Sequence, residues 1–139
     1  MRSMIRKLAL LALAAALSAT GAHAQAVPQK YDSAATTNAT LVRPGNALIN
    51  LLVVTNSTAA LYYLKLYDVA AAPTCNTSTV VFKVAVPFGA SSSGGDLVIP
   101  LADGMQFFNG IGFCLTGAIG DTDTTNAATG VTINFAIKQ

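Results

Sequence analysis

The stretch from Val131 to Ile137 alternates strictly between two kinds of side chain. Its apolar members are Val131, Ile133, Phe135 and Ile137, and the residues after them are Thr132, Asn134, Ala136 and Lys138. Because successive side chains of a β-strand point to opposite faces, this pattern predicts a strand with one face in a core. The same period of two recurs over 61–68 and 79–87. The chain is therefore predicted to be all-β.

Turn signals divide the rest of the chain into further short strands. They are predicted at 39–42, at 48–55, at 96–101 and on either side of Asn109-Gly110 within 104–117. The continuous apolar run 48–55 favours a buried strand, and Pro100 confines its own strand to an edge or an end. About eight short strands with turns every eight to twelve residues are typical of a single antiparallel β-sandwich or jelly roll, here spanning 39–139.

The N-terminus has the three parts of an export signal. Arg2, Arg6 and Lys7 precede an apolar run over 8–17, and Ala22-His23-Ala24 follows. This order predicts a signal peptide over 1–24 that is cleaved before Gln25. The apolar run is only about half of the roughly 20 residues that a spanning helix needs, so no membrane span is expected after cleavage. We expect a periplasmic, cell-surface or extracellular protein.

The residues after the cleavage site are polar and without a pattern, so 25–38 is predicted to be a flexible N-terminal arm. Cleavage also removes three basic residues. The remainder has five Lys or Arg against six Asp, and the basic residues are scattered singly. No nucleic-acid partner is therefore expected, since phosphate binding needs clustered positive charge.

Cys75 and Cys114 are the only cysteines, and both remain after cleavage. Disulfides persist in exported proteins, so a bond between the two is predicted. It would attach the loop after Asp68 to the strand that contains Cys114. The alternative is a pair of separate small buried residues, whereas a metal site lacks further His or Cys ligands.

The chain after residue 24 has no His, and the protein has no Glu. Ser-His-Asp and Cys-His nucleophile systems are thereby excluded, and we expect neither an enzyme nor a cofactor. Asp121, Asp123 and Asn126 place oxygen ligands along one loop and form a weak calcium candidate. Since a turn glycine and a closing carboxylate are missing, a solvated turn is the stronger expectation.

Tyr63, Lys65 and Tyr67 share one face of the strand 61–68. Tyr offers a large contact area at low entropic cost, so these three residues form a candidate contact face for a glycan or another protein. The alternative is that this face is covered by the other sheet or by the arm.

The stretch 51–137 resembles small bacteriophage virion proteins, β-sandwich domains of the head-decoration or tail-appendage type. The resemblance rests on Val54-Thr55-Asn56-Ser57-Thr58, Tyr63-Leu64-Lys65-Leu66-Tyr67-Asp68, Ala72-Pro73-Thr74, the apolar strand 80–87 before a Gly-rich turn, Gly110-Ile111-Gly112-Phe113-Cys114-Leu115-Thr116-Gly117 and Asp121-Thr122-Asp123-Thr124-Thr125. It implies an assembly or surface unit without enzymatic activity.

Two features depart from that family, namely the export signal and the cysteine pair. Both indicate a related fold adopted for an exported role. The first hypothesis is therefore a structural or assembly subunit of an extracellular or surface structure, with further copies of itself as its partner. The alternative is a secreted, adhesin-like module that binds a glycan or a cell surface.

Overall fold

The computed structural model describes residues 25–89 and 94–139, and this part of the chain is all-β. The predicted signal peptide and its cleavage site lie outside the described residues. The eight strands are β1 (Val27–Asp32), β2 (Thr40–Pro44), β3 (Ala47–Asn56), β4 (Tyr62–Asp68), β5 (Phe82–Val86), β6 (Gly95–Phe107), β7 (Gly110–Thr116) and β8 (Val131–Lys138). In the described part of the chain, no helix is long and apolar enough to cross a membrane.

The strands form two antiparallel sheets of four. Sheet A has the order β1-β8-β3-β6, and sheet B has the order β2-β7-β4-β5. Strand β4 pairs with β5, β3 with β6, β2 with β7 and β1 with β8, so the chain is one long hairpin wrapped around a core. This nested pairing is the jelly-roll topology, which confirms the predicted fold class.

The core lies between the two sheets. Sheet A contributes Ile49, Leu52, Val54, Phe107, Ile133, Phe135 and Ile137, and sheet B contributes Leu64, Leu66, Val86, Ile111, Phe113 and Leu115. Tyr31 of β1 packs edge-on against Phe113 and Phe135, with ring centroids 5.4 and 6.0 Å away. The alternating strands predicted from sequence therefore place their apolar side chains inward.

The carboxylate of Asp68, at the end of β4, binds the turn between β6 and β7. It accepts hydrogen bonds from the backbone N–H groups of Phe108, Asn109 and Gly110 at 2.7–3.2 Å. Burial alone would raise the pKa of this carboxyl, but the three backbone donors stabilise its charged form and hold the pKa below its ordinary value. Asp68 thus fixes the β6–β7 turn against the end of β4.

Three predicted boundaries are wrong. Residues 25–38 are not all a flexible arm, because β1 lies within them and pairs with β8 along its whole length. The predicted strand 96–101 and the strand after it are one strand, β6, which tolerates Pro100 because it lies at the edge of sheet A. Strand β5 begins at Phe82 rather than at residue 79, because residues 79–81 leave a turn in which Ser78 N donates to Thr74 O, and the register with β4 starts only at Phe82.

Candidate functional site

The predicted contact face lies on the outer side of sheet B. In register, Tyr63 is opposite Thr116 and Ala85, Lys65 is opposite Cys114 and Lys83, and Tyr67 is opposite Gly112. Their alternate neighbours Tyr62, Leu64 and Leu66 point into the main core. The alternation therefore predicted correctly which side chains share the outer side.

Loop 117–126 covers the Lys65 part of this side. The Lys65 ammonium donates to the carbonyl oxygens of Gly120 at 2.5 Å and Asp123 at 3.3 Å, and the side chain is fully buried. Burial lowers the pKa of Lys65, while the nearby carboxylates of Asp123 and Asp121 act in the opposite direction. Lys65 is thus the attachment point of the loop and is closed to an external ligand.

Loop 69–81 covers the Tyr67 part of the same side. The predicted disulfide is confirmed between Cys75 and Cys114, with their Cα atoms 6.0 Å apart, and it joins this loop to β7. Both cysteines pack with Tyr67 in a small second core, together with Val69 and Val80.

The phenol of Tyr67 is buried in this second core and donates to the carbonyl oxygen of Cys75 at 3.3 Å. Burial, with a further contribution from the negative charge of Asp121, raises its pKa to about 12. The group therefore stays protonated at neutral pH.

Gly112 allows loop 69–81 to lie flat on β7. A Cβ at this position would stand 2.7 Å from Val69 Cγ2 and 3.0 Å from Pro73 Cδ. The glycine leaves that space to the loop.

The three-residue contact face is therefore wrong as an exposed surface. Lys65 and Tyr67 are both 0 % exposed, and only Tyr63 keeps part of its side chain at the surface. The cover comes from two loops of the chain itself, not from the other sheet or from the arm. Period-two alternation indicates which face a side chain takes, but it carries no information on what lies above that face.

In the weak calcium candidate, the carboxylates of Asp121 and Asp123 already bind other groups of the chain. Asp121 forms an ion pair with Lys83 at 2.6 Å. Asp123 accepts from the backbone N–H of Ala118 at 3.0 Å and from the Thr125 hydroxyl at 2.7 Å. Burial would raise the pKa of Asp123, but these hydrogen bonds outweigh it and lower the pKa.

Asn126 forms a bridge with Thr116 in β7 and thereby ties the end of the loop to sheet B. Together with Asp121 and Asp123 it fits the turn-stabilising interpretation of this loop. In the ranges 25–89 and 94–139, no group of three or more His, Cys, Asp or Glu is placed to hold a metal ion.

The outer side of sheet A contrasts with that of sheet B, because none of the loops described above folds over it. In the two central strands the outward residues are Leu51, Val53 and Thr55 of β3 with Thr132, Asn134 and Ala136 of β8. On β6 they are joined by Val98, which is 59 % exposed, and by Pro100. We call these eight residues the sheet A face.

The sequence does not predict the sheet A face, because the apolar run 48–55 favours a buried strand. The strand is confirmed as β3, but only one of its sides, with Ile49, Leu52 and Val54, is in the core. Leu51 and Val53 remain partly exposed on the other side. A sequence feature that indicates this face is the apolar run 48–55 itself, because it is continuous whereas strands such as 131–137 alternate between apolar and polar residues.

No protein-family model, no curated protein and no solved structure matches the chain.

Proposed function

We propose that the protein is an exported, non-enzymatic structural or assembly subunit that packs against copies of itself in an extracellular or surface structure. The observation that carries the proposal is the outer side of β3, where Leu51 and Val53 lie partly exposed in the middle of a sheet face over which none of the described loops folds. Strands with apolar residues on both sides are typical of sheets that are covered on both sides. A second copy supplies the missing cover.

The composition of the sheet A face fits contact with a second copy. Its eight residues are all uncharged, and the charged groups stand at its margin: Lys30 and Asp32 on β1, Asp96 on β6 and Lys138 at the end of β8. Interfaces between proteins are depleted of charge at the centre and polar at the rim. Because the rim has both signs, two identical faces approach each other without net repulsion.

The area of the outer side of sheet A limits how much surface one such contact can bury. With four strands about 4.8 Å apart and about eight residues per strand at about 3.3 Å each, the whole outer side, which is the sheet A face together with its charged margin, measures about 500 Å². Two copies would bury about 1,000 Å² in total, at the lower limit for a specific interface. Contact through this face alone therefore gives a weak pair, and a stable structure needs a second contact per copy.

The fold and the export signal agree with this role without assigning it. Jelly rolls occur in viral capsid proteins and in lectins, and fold alone does not decide between such functions. The resemblance to virion β-sandwich proteins points to an assembly unit. The disulfide between Cys75 and Cys114 suits a subunit that stays outside the cell.

The test is sedimentation velocity of residues 25–139 over a range of concentrations, for the wild type and for Val53→Lys. Val53 lies at the centre of the sheet A face and points away from the core, so the variant should fold. We expect the wild type to form species larger than a monomer and Val53→Lys to remain monomeric, because a charge would be buried without a partner.

Thr77→Lys is the matched control, since it adds the same charge at an exposed position of loop 69–81, on the opposite side of the molecule. It should assemble like the wild type. A wild type that stays a monomer at every concentration would contradict the proposal, as would equal assembly of Val53→Lys and the wild type.

The alternative of a glycan-binding module is not favoured by a specific observation. Its predicted site used Tyr63, Lys65 and Tyr67, and two of these three are buried under loops 69–81 and 117–126. An array of glycans, measured with calcium and with chelator, keeps this alternative testable. Binding that is lost in Tyr63→Ala would favour the module over the subunit.

A further inference from the structure

Strand β1 is held less firmly than any other strand of sheet A. It lies at the edge of the sheet, and among the eight described strands it pairs with β8 alone. Of its inward positions, Val27 is 47 % exposed and Gln29 is polar, so Tyr31 alone packs into the aromatic part of the core. An edge strand with one apolar anchor is suited to leave its own sheet and pair elsewhere.

In the connection between β1 and β2, hydrogen bonds to the rest of the chain hold the residues on either side of a short segment. On one side Ser33 is bound to the β8 region, since Ser33 N donates to Val131 O at 2.8 Å and Ser33 Oγ donates to Ala128 O at 2.6 Å. On the other side the carbonyl oxygens of Thr36 and Thr37 accept from Ala127 N and Leu115 N.

Ala34 and Ala35, both exposed, lie between these points. The Asn38 side chain holds the two ends of the segment together: its Oδ1 accepts a hydrogen bond from Ala34 N, and its Nδ2 donates to Ala34 O. Asn38 itself has a φ of 54°. If the segment extends, these exposed bonds to Asn38 and the backbone hydrogen bond from Thr36 N to Ala34 O are lost. A short, tight connection of this kind favours exchange of the element it joins.

We propose, on the basis of the subunit role proposed above, that copies of this chain exchange β1: residues 25–33 of one copy leave their own sheet and pair with β8 of the next copy. The hinge is Ala34-Ala35. Every contact that β1 makes within its own chain, including the packing of Tyr31 on Phe135 and the bonds of Ser33, is made again with the neighbour. The exchange supplies the second contact that the sheet A face needs.

The register identifies a pair of residues that reports this exchange. Val27 and Ile137 are opposite each other across the β1–β8 ladder, and both point between the sheets. Packing of one sheet A face on another therefore does not bring them together. We propose to mix two single variants, Val27→Cys and Ile137→Cys, to unfold and refold them together with the native disulfide intact, and to analyse the oxidised product on a non-reducing gel and by sedimentation.

With exchange, a covalent dimer that contains one chain of each variant is expected, since paired residues of adjacent strands are within disulfide distance. The matched control is a mixture of Val84→Cys and Leu64→Cys, which are opposite each other in β5 and β4 and stay in one chain. It should give no mixed dimer. Larger species by sedimentation without a mixed dimer would overturn the exchange and leave the subunit role standing, whereas a monomer by both methods would overturn both.

A second variant guards against poor folding of Ile137→Cys. Lys30 and Asn134 are opposite each other at the outer surface of the same ladder. A chain with both Lys30→Cys and Asn134→Cys, oxidised as a monomer, has β1 locked to its own β8 and should lose assembly, whereas Lys30→Ser with Asn134→Ser should retain it. Equal assembly of the locked chain and its serine control would overturn the exchange.

Discussion

The ammonium group of Lys65 donates to the carbonyl oxygen of Gly120, 55 positions further along the chain, at 2.5 Å. A lysine in the middle of a strand thus holds a distant loop against the outer side of sheet B. The disulfide holds the other covering loop on the same side. Loops of the same chain consequently cover sheet B over Lys65 and Tyr67, whereas none of the described loops folds over the sheet A face.

The first prediction concerns this lysine. Lys65→Met keeps an unbranched side chain that is one atom shorter, but it leaves the carbonyl groups of Gly120 and Asp123 without their charged donor. Hydrogen bonds to charged groups contribute about 2 kcal/mol, so loop 117–126 should open about 30-fold more often. Amide hydrogen exchange at Gly117 and Asp123, whose N–H groups bond within the loop, measures this change.

Lys83→Met is the control, because its ion pair with Asp121 is exposed on both sides and such pairs contribute less than about 1 kcal/mol. Similar exchange rates in Lys65→Met and the wild type would show that Lys65 does not hold the loop.

The second prediction concerns Gly112. In Gly112→Ala the new Cβ would meet Val69 and the rigid ring of Pro73 at 2.7–3.0 Å, so loop 69–81 must move away from β7. We expect a loss of about 1–3 kcal/mol in the free energy of unfolding, measured by urea denaturation. Gly120→Ala is the comparison, since the nearest atom to its Cβ is 3.9 Å away. Equal stability of the two variants would contradict the close approach of the loop.

The third prediction concerns the disulfide. Cys75→Ala with Cys114→Ala removes a link between positions 39 residues apart, which in the chain-entropy model contributes about 4 kcal/mol. Urea denaturation should show a loss of this size. Because both cysteines are buried, a mild reductant should act on the native protein only slowly. Rapid reduction of the folded protein would mean that loop 69–81 opens freely.

The fourth prediction concerns acid. The pKa of Asp68 is lower in the folded chain than the ordinary 3.8, so below about pH 4 the unfolded state binds the proton more readily. The stabilising contribution of Asp68 is complete above that pH and is lost as pH falls through the folded-state pKa. Asp68→Asn should therefore reduce the dependence of the free energy of unfolding on pH below about 4.

The exposed residue Asp103 provides the control for this measurement, as Asp103→Asn. Part of the pH dependence should remain in Asp68→Asn, because the pKa values of Asp32 and Asp123 are also lowered in the folded chain. If the free energy of unfolding of Asp68→Asn depends on pH in the same way as that of the wild type, Asp68 does not contribute to the acid sensitivity of the fold.

Local pattern was sufficient to predict the fold class and most of the strands. In β8 the alternation is strict because one side meets the core and the other does not. The disulfide was predictable too, since a chain with two cysteines has only one possible intramolecular pairing. Strand β1 was missed because its inward side has one aromatic residue, Tyr31, and it forms a strand chiefly because β8 offers an unpaired edge.

The surfaces were less predictable than the strands. Whether Lys65 and Tyr67 are exposed depends on loops that come later in the sequence, and no local pattern encodes that contact. The reverse holds for Leu51 and Val53, which look like core residues in the sequence and lie at the surface. In both cases the error concerns what lies above a sheet.

The mass of residues 25–139 in solution tests the proposed role most directly. Light scattering on this chain, measured over rising concentration, should give a mass of at least two chains that grows with concentration. A mass of one chain at every concentration would contradict the assembly role.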